Sequence, residues 1–523
     1  MIQAIAPLKK TTVALALSAL CFVSAACSNK VEKAYNRAQE AQQALDRGDI
    51  PAARQSISIA IQAKDDLIAL HLLNGKIELA GKAPAAAFDA YQNARALDPA
   101  NVEALEGIAL TGVQSGHERD SEEAATALLA TNPRNAVAIF TRGLLALDRD
   151  HYDEAVAAAD RVLAARAGDE GAIALKVRAL FLAGRREDAV RVLQEAKPLE
   201  RPAPGLARMA LEVARASHDP AGMLQAFAAL RRLKVMTPAM ELDEANVRFK
   251  TGDHAGGDRI VLARLAAPAT TPDQVHDLIA LWWEYGPPPP GAIRLPATGT
   301  ATAREETARF LAGLNRAREA IDILALAPSP SADGIKALAL LNQGQEQTGG
   351  DLARRVVASD PAQCEARLVV ARVALRARHY DTAINDATQV AAECPALVDA
   401  PLTLALAYGA LRQDSQIERT FGDAITRNRD NPRIYAAFAT WLRSRNQAEK
   451  AANTVRRLVR TAPSRTAPWR LLLANCGDDA CRAEARAGLE TAARSYRIDP
   501  KPGETPVRGL YAPLPVTEMA VAP

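Results

Sequence analysis

The feature that most limits the possible folds is a recurrence of small side chains at one fixed spacing of about 34 residues. Two such series, twelve residues apart, run through the first part of the chain. The first contains Ala41, Gly75, Ala109, Gly143 and Val177, and the second contains Ala53, Ala87, Ser121, Ala155 and Ala189. Small residues at a fixed spacing mark places where two helices approach closely. The spacing therefore predicts a stack of helix pairs rather than one large core.

The stretch from Gly143 to Leu163 shows the local pattern of one unit. Its centre, Asp150–Asp153, is polar and is typical of a tight turn between two helices. After the turn, Ala155, Ala159 and Val162 fall at i, i+4 and i+7, which is the spacing of an apolar stripe on one helix face. Each unit is therefore predicted to be a helical hairpin.

The second half of the chain repeats the pattern in its own phase. Small residues on first helices and prolines after second helices are again separated by the same spacing or by twice that spacing. The small residues are Ala337, Ala371, Ala405 and Ala439, and the prolines are Pro361, Pro395 and Pro463. The same kind of hairpin is expected in both halves.

With these positions the chain resembles the tetratricopeptide repeat (TPR) family, whose 34-residue unit has small residues at positions 8 and 20. Tyr91 and Phe421 match the aromatic position 24 of that unit, and Pro99 and Pro133 match the proline at position 32. The resemblance implies an all-α fold, a right-handed α-solenoid of helix-turn-helix repeats. Aromatic residues make up only 4% of the chain, which fits helices packed through Ala and Leu.

The repeat pattern weakens after Arg201 and breaks near 282–303, where four consecutive prolines cannot lie inside a helix. The small-residue series of the two halves do not share a phase across this break. The predicted organisation is a signal peptide at 1–26, an N-terminal repeat region at 27–271, an irregular helical and proline-rich connection at 272–329, a C-terminal repeat region at 330–499 and a disordered tail at 500–523.

The N-terminus has the three parts of a secretory signal: the basic pair Lys9–Lys10, the apolar run Val13–Val23 and the small residues of Ser24–Cys27. It resembles bacterial lipoprotein signals, although Ser24 stands where that family usually has Leu. The resemblance implies a lipidated Cys27, and Ser28 after it implies the outer membrane. Ordinary cleavage before the cysteine, which would leave a soluble periplasmic protein, is the alternative.

Four further cysteines lie in the predicted mature chain, an even number that is compatible with two disulfides in an oxidising compartment. Cys364 and Cys394 fall at positions 1 and 31 of one repeat, where the two free ends of a hairpin lie side by side. Cys476 and Cys481 flank the turn of the last repeat. The alternative is four buried thiols, whereas a shared metal site would need ligands that a solenoid keeps apart.

No nucleotide-binding loop, nucleophile elbow or metalloprotease motif occurs in the chain. His117, His151 and His379 all fall in turns between paired helices, one or more repeats apart, which is too dispersed for one catalytic or metal centre. We therefore expect no enzyme activity, no cofactor and no metal. The formal net charge of only +3 gives no reason to expect a nucleic-acid partner.

Charge is concentrated between Ile417 and Arg470, where eleven arginines and one lysine face four acidic residues. In the TPR alignment, five arginines of this half fall at positions that line the concave side: Arg372, Arg376, Arg433, Arg443 and Arg470. Such a surface would suit an acidic peptide or an anionic polysaccharide, because guanidinium groups pair carboxylates through two hydrogen bonds. The alternative is that the arginines are spread by composition alone.

These features favour a non-enzymatic scaffold facing the periplasm from the outer membrane, held there by lipid on Cys27 and bound to envelope proteins. The resemblance extends to TPR lipoproteins of exopolysaccharide export and of pilus or secretion-system assembly. The alternative function is a periplasmic substrate-binding or regulatory protein with an aromatic patch of Trp282, Trp283 and Tyr285 as its ligand pocket. Those aromatics are otherwise expected to cap the end of the core.

Overall fold

The computed structural model describes residues 30–196, 203–296, 299–326 and 331–496. The predicted signal peptide, Cys27 and the predicted tail lie outside these residues. Contacts divide the chain into two compact units between Val213 and Ala214. The first unit holds α1 (residues 30–46), α2 (Ile50–Ala63), α3 (Ile68–Ala80), α4 (Pro84–Leu97), α5 (Val102–Ser115), α6 (Glu118–Thr131), α7 (Ala136–Asp148), α8 (Tyr152–Ala165), α9 (Glu170–Leu182), α10 (Arg186–Ala196) and most of α11 (Pro204–Ala216).

The second unit continues from Ala214 with sixteen further helices. These are α12 (Pro220–Arg232), α13 (Pro238–Lys250), α14 (His254–Leu265), α15 (Pro272–Tyr285), α16 (Ala301–Gly313), α17 (Ala317–Leu324), α18 (Ala332–Asn342), α19 (Glu346–Ser359), α20 (Cys364–Arg376), α21 (Tyr380–Glu393), α22 (Asp399–Ala410), α23 (Asp414–Arg427), α24 (Pro432–Ser444), α25 (Ala448–Thr461), α26 (Thr466–Asn475) and α27 (Asp479–Arg494). The described residues contain no strand. The fold is the all-α solenoid of TPR-type hairpins that the sequence predicts.

Side-chain caps start several first helices at equivalent positions. Asn101, Asn135 and Asp169 follow one another at the spacing of the repeat, and each accepts a hydrogen bond from the backbone N–H three residues later. These caps satisfy one of the backbone N–H groups that a helix start leaves without a partner. The helix ends therefore follow the same repeat as the small residues.

The turns inside the hairpins recur with the same spacing. Residues with positive φ follow most of the first helices, and many of them form two series in which each member lies one repeat after the last. The first series is Gly48, Lys82, Gly116, Asp150, Gly184, His218 and Gly252, and the second is Gly344, Arg378, Arg412 and Asn446. The first series continues past Arg201, where the pattern of small residues weakens. The phase changes between Gly286 and Gly344, a stretch that contains the proline-rich segment and the eight-residue helix α17.

The small residues permit close contacts that a larger side chain would block. The ring of Tyr91 lies between Gly75 and Gly107 of the neighbouring first helices. A Cβ added at Gly75 would lie 2.5 Å from Tyr91 Cζ, and one added at Gly107 would come still closer to the ring. An aromatic residue at position 24 thus fills the space that the glycines leave open.

The proline-rich segment lies within the second unit. Ile293 and Leu295 are buried in one apolar cluster with Trp282 and Phe310. Arg316 of α17 donates to the carbonyl oxygens at positions 288 and 289 at 2.8 and 3.2 Å. The non-helical chain thus supplies core residues to the helices around it. The boundaries at 271 and 329 stay predictions.

At equivalent positions of the turn series, replacing a glycine and replacing another residue should change the free energy of unfolding by different amounts. Gly344 has a φ of +86°, and a Cβ added there would have no neighbour within 4 Å, so only backbone strain opposes a side chain. We expect Gly344→Val to lower the free energy of unfolding by about 1–2 kcal/mol. Arg378→Gly, one repeat later at a φ of 63°, should not lower it by more than about 1 kcal/mol. Equal losses for both variants in urea denaturation would contradict this account of the turns.

Candidate functional site

Three of the five predicted arginines come together on the first helices of the second unit. Arg372 and Arg376 lie on α20, and Arg433 lies at the start of α24. Burial lowers the pKa of Arg372, the carboxylate of Asp399 opposes this shift, and the positive charges of Arg376 and Arg433 add to it. The three guanidinium groups therefore act on one another electrostatically around the N-terminus of α22.

Each of these arginines already has a polar partner within the protein. Arg372 Nη1 donates to Asn342 Oδ1 (2.7 Å), Arg376 Nη1 to Glu346 Oε2 (2.9 Å) and Arg433 Nη2 to Asp399 Oδ1 (2.8 Å). Two carboxylates thus offset part of the positive charge of three guanidinium groups. An anionic ligand has to compete with these carboxylates, so the surface is less basic than the count of arginines in the sequence indicates.

The other two predicted arginines are not part of this group. Arg443 Nη1 donates to the carbonyl oxygen of Ala474 at 3.0 Å, so it links α24 to α26. Arg470 is exposed on α26, where its charge acts on Tyr285. The structure therefore brings together three of the five residues.

The helix between the arginines exposes apolar side chains. Asp399, Leu402 and Leu406 are three and four residues apart and so share one face of α22. Leu406 is 65% exposed, which is unusual for leucine in the middle of a helix with so few polar residues. We call this surface the inner patch and define it as Arg372, Arg376, Leu402, Leu406, Arg433 and Trp283.

Trp283 joins the inner patch from α15, about 150 residues earlier in the chain. The guanidinium carbon of Arg433 lies 5.8 Å from the centre of the Trp283 ring, within the range of a cation–π contact. The ring also packs edge-on against Phe310 and remains 42% exposed. Nothing in the local sequence indicates this pairing with Arg433.

The aromatic patch suggested by the sequence is wrong for two of its three residues. Trp282 is 1% exposed and donates from Nε1 to Asp258 at 2.9 Å. Tyr285 is partly buried, and its hydroxyl donates to Asn246 at 2.7 Å. The cavity beside Tyr285 measures about 20 Å³, which is room for about one water molecule. Because helix α15 turns both rings toward the core, only Trp283 is available to a partner.

Helix α15 also contacts the start of α26. Glu284 Oε1 accepts hydrogen bonds from Thr466 N at 2.9 Å, Thr466 Oγ1 at 2.8 Å and Ala467 N at 3.1 Å. The carboxylate therefore occupies the N-terminal end of a helix, where unpaired N–H groups and the helix dipole favour negative charge. These residues are 182 and 183 positions apart in the sequence.

Helix α13 makes the complementary contact at the end of α27. Lys250 Nζ donates to the carbonyl oxygens of Ser464 at 2.9 Å and Ala492 at 2.8 Å, and also to that of Ser495. Asn246 Nδ2 donates to the carbonyl oxygen of Tyr496 at 3.3 Å. A positive charge is thus placed where the last carbonyl groups of a helix lack partners.

A histidine–carboxylate contact lies along the same boundary. His276 Nε2 of α15 is 3.9 Å from Asp430 Oδ2, just before α24. The interaction with Asp430 is the main reason that the pKa of His276 is raised. Burial opposes this rise, and the carboxylates of Asp277 and Glu306 increase it. The interaction is therefore strongest when the imidazole is protonated.

The structure contains both disulfides considered from the sequence. Cys364 and Cys394 are bonded with their Cα atoms 6.4 Å apart, and they join the two ends of the α20–α21 hairpin. Cys476 and Cys481 are bonded with their Cα atoms 5.4 Å apart, across the turn between α26 and α27. The first of these bonds holds the helix that carries Arg372 and Arg376.

Within the described ranges, no group of three or more His, Cys, Asp and Glu side chains is placed to hold a metal ion. In the same part of the chain, no helix has both the length and the apolar character needed to cross a membrane. The proposed lipid attachment residue, Cys27, lies before residue 30, where the described structure begins.

Comparison with known proteins adds no information about function. No family model and no curated protein matches the chain. Solved structures similar to it include PilW, a widely conserved type IV pilus biogenesis factor, with 19% identity over 39% of this chain and 94% of that one, at a TM-score of 0.34. A Pseudomonas aeruginosa pilF structure has 13% identity over 40% of this chain and 95% of that one, at a TM-score of 0.31.

A TPR protein of Parabacteroides merdae has 14% identity over 59% of this chain and 99% of that one, at a TM-score of 0.28. Because these TM-scores are all below 0.5, the likenesses carry no argument about what this chain binds. The assignment of the fold rests on the helix pairs and turns of the chain itself.

The contact between His276 and Asp430 predicts a titration. Because the pKa of His276 is raised in the folded protein, this interaction stabilises the fold fully below the ordinary histidine pKa of about 6.5 and is lost as pH rises through the folded value. In an NMR titration we expect the pKa of His276 to lie above about 6.5 and to fall in Asp430→Asn. Asp381→Asn, an exposed change on α21, is the control, and a fall of equal size there would contradict the assignment.

Proposed function

We propose that the protein is a non-enzymatic scaffold of the bacterial envelope that binds a segment of a partner protein at the inner patch. The observation that carries this proposal is the exposed apolar face of α22 between arginines and Trp283. Arginine and tryptophan are enriched among residues that dominate the binding energy of protein interfaces. Leu406, which is exposed on α22, adds apolar area that a partner would remove from water.

The chemistry of the inner patch favours an acidic peptide with apolar residues. Carboxylates of the partner would compete with Asp399 and Glu346 for guanidinium groups, while its apolar side chains would cover Leu402 and Leu406. An anionic polysaccharide offers the carboxylates but has much less apolar surface for these leucines. We therefore favour a protein partner, and binding should weaken as salt screens the charged rim.

The wider role that we propose is support of an export machine, either polysaccharide export or assembly of a pilus or secretion system. The support for this role is the lipoprotein-type signal and the resemblance of the repeats to envelope TPR lipoproteins. The alternative, a periplasmic substrate-binding or regulatory protein, loses its suggested pocket because Trp282 is buried and the cavity beside Tyr285 is small.

Two exposed residues of the inner patch provide a direct test. We expect the double variant Leu406→Asp, Arg376→Glu to capture envelope proteins roughly tenfold less well than the wild type, because it removes an apolar contact and reverses a charge. Capture from detergent-solubilised envelope, quantified by mass spectrometry at low and moderate salt, measures the effect. Partners that the wild type retains and the variant loses are the candidates for the specific interaction.

The control applies the same chemical changes away from the inner patch. Leu97 is 41% exposed in the first unit, and Arg354 lies on the second helix of a hairpin with a side chain that is 57% exposed. Leu97→Asp with Arg354→Glu should leave capture unchanged. Equal capture by all three proteins, with intact helicity, would place the binding surface elsewhere, and loss of bound polysaccharide alone would favour a carbohydrate partner.

We further propose that Cys27 carries the lipid anchor of the protein in the outer membrane. Several acyl chains on one residue make release from a membrane slow, whereas one chain holds a protein weakly. Cys27→Ser should therefore move the protein from the membrane fraction to the soluble periplasmic fraction and change its electrophoretic mobility. Unchanged fractionation and mobility would instead support ordinary signal cleavage or another means of attachment.

A further inference from the structure

The early and late helices of the second unit meet through polar side chains. Glu284 of α15 caps the start of α26, Lys250 of α13 caps the end of α27, and His276 of α15 faces Asp430. In addition, His218 Nδ1 lies 2.7 Å from the carbonyl oxygen of Arg494 at the end of α27. We call these contacts, with those of Asn246 and of the Trp283–Arg433 pair, the clasp.

The buried apolar residues on the two sides of the clasp belong to separate clusters. One cluster joins residues of α13 to α18, including Phe249, Leu281 and Trp282. The other joins Val398 with residues of α23 to α27, including Ile434 and Leu472. Among the described residues, neither cluster has a member from the opposite side of the clasp. The boundary also contains the small cavity of about 20 Å³, so it is less tightly packed than a core.

The helix ends explain why polar contacts form here. The first N–H groups of α26 and the last carbonyl groups of α27 have no hydrogen-bond partner within their own helices. Glu284 and Lys250 supply a negative charge to the N-terminal end of α26 and a positive charge to the C-terminal end of α27. Both signs match the helix dipoles. Water can replace each of these partners when the contact separates.

We propose that the clasp is reversible: the second unit exchanges between a closed state, in which α13 and α15 contact α26 and α27, and an open state, in which these contacts are lost. The closed state is held by charge-assisted hydrogen bonds and buries little shared apolar area. Its population therefore depends on ionic strength and on Glu284 and Lys250. Elements joined by few buried apolar contacts are those that open at low free-energy cost.

Opening would also change the inner patch, because Trp283 belongs to the clasp and contacts Arg433 across it. Loss of this contact frees the guanidinium face of Arg433 for a partner. This consequence rests on the proposed function, whereas the exchange between two states does not. A distance measured within the chain tests the exchange whether or not the inner patch binds a partner.

The test uses distances between spin labels on the full mature chain. One label replaces Asp273, exposed at the start of α15, and the other replaces Ala487, exposed on α27. Labelling through an unnatural keto amino acid leaves the disulfides intact. Pulsed electron paramagnetic resonance at about 0.05 M salt should show mainly the short distance of the closed state. At about 1 M salt a longer distance should also be seen, and it should disappear when the salt is diluted.

Substitution of the charged residues should increase the population of the open state more than high salt does. In Lys250→Met with Glu284→Gln, the ratio of long to short distances should rise about tenfold or more at low salt, since hydrogen bonds to charged groups are among the stronger ones. The matched control is Lys450→Met with Glu418→Gln, which removes an exposed ion pair of 2.7 Å outside the clasp. This control should keep the wild-type distances.

A second label pair separates opening from unfolding. Asp273 and Ala325 lie on α15 and just after α17, whose side chains share one apolar cluster, so their distance should stay constant in every variant. A distance between Asp273 and Ala487 that is unchanged by salt and by the double substitution would overturn the proposal. Equal lengthening of both label pairs would also overturn it, because the change would then be loss of the fold.

Discussion

The structure depends on how closely neighbouring helices approach at the small residues of each repeat. A side chain larger than the native one at these places would displace its neighbours or separate the helices, and this would loosen the packing of the whole hairpin. Tyr91 shows the complementary part of this constraint, because its ring fills the space beside Gly75 and Gly107. The close contact thus requires both a small residue and a partner shaped to it.

Such packing acts between neighbouring hairpins, so contacts between distant hairpins have less apolar burial to stabilise them. Each hairpin contacts mainly its neighbours, and the backbone groups at the end of a helix need partners from outside that helix. In the second unit, Lys250 and Glu284 provide these partners at the last hairpin. The result is a junction between distant parts of the chain that rests on charge and helix dipoles, whereas the junctions between consecutive hairpins rest on apolar burial.

The inner patch depends both on packing within the hairpins and on contacts between charged groups. Its arginines are positioned by α20 and α24, and the disulfide between Cys364 and Cys394 ties the ends of the hairpin that begins with α20. Their charges are partly offset by Asp399 and Glu346. The exposed face of α22 then supplies the apolar area on which affinity would depend.

The sequence by itself determined the hairpins, their spacing, the places of close approach and the pairing positions of the cysteines. These features depend on residues within one repeat or on its neighbour, so the period of the repeat is enough to find them. The same period indicated which arginines lie on first helices, because a helix position follows from spacing alone.

Only the tertiary structure decided how those surfaces are completed. Trp283 meets Arg433 and Glu284 meets Thr466 across about 150 and 182 residues, and no local pattern marks either pair. The sequence also did not indicate that Trp282 is buried while Trp283 is exposed. Adjacent residues on a helix point in different directions, and only the packed neighbours decide which one is covered. Contacts between distant repeats arise from the accumulated rotation of every hairpin between them, a quantity that no single repeat encodes.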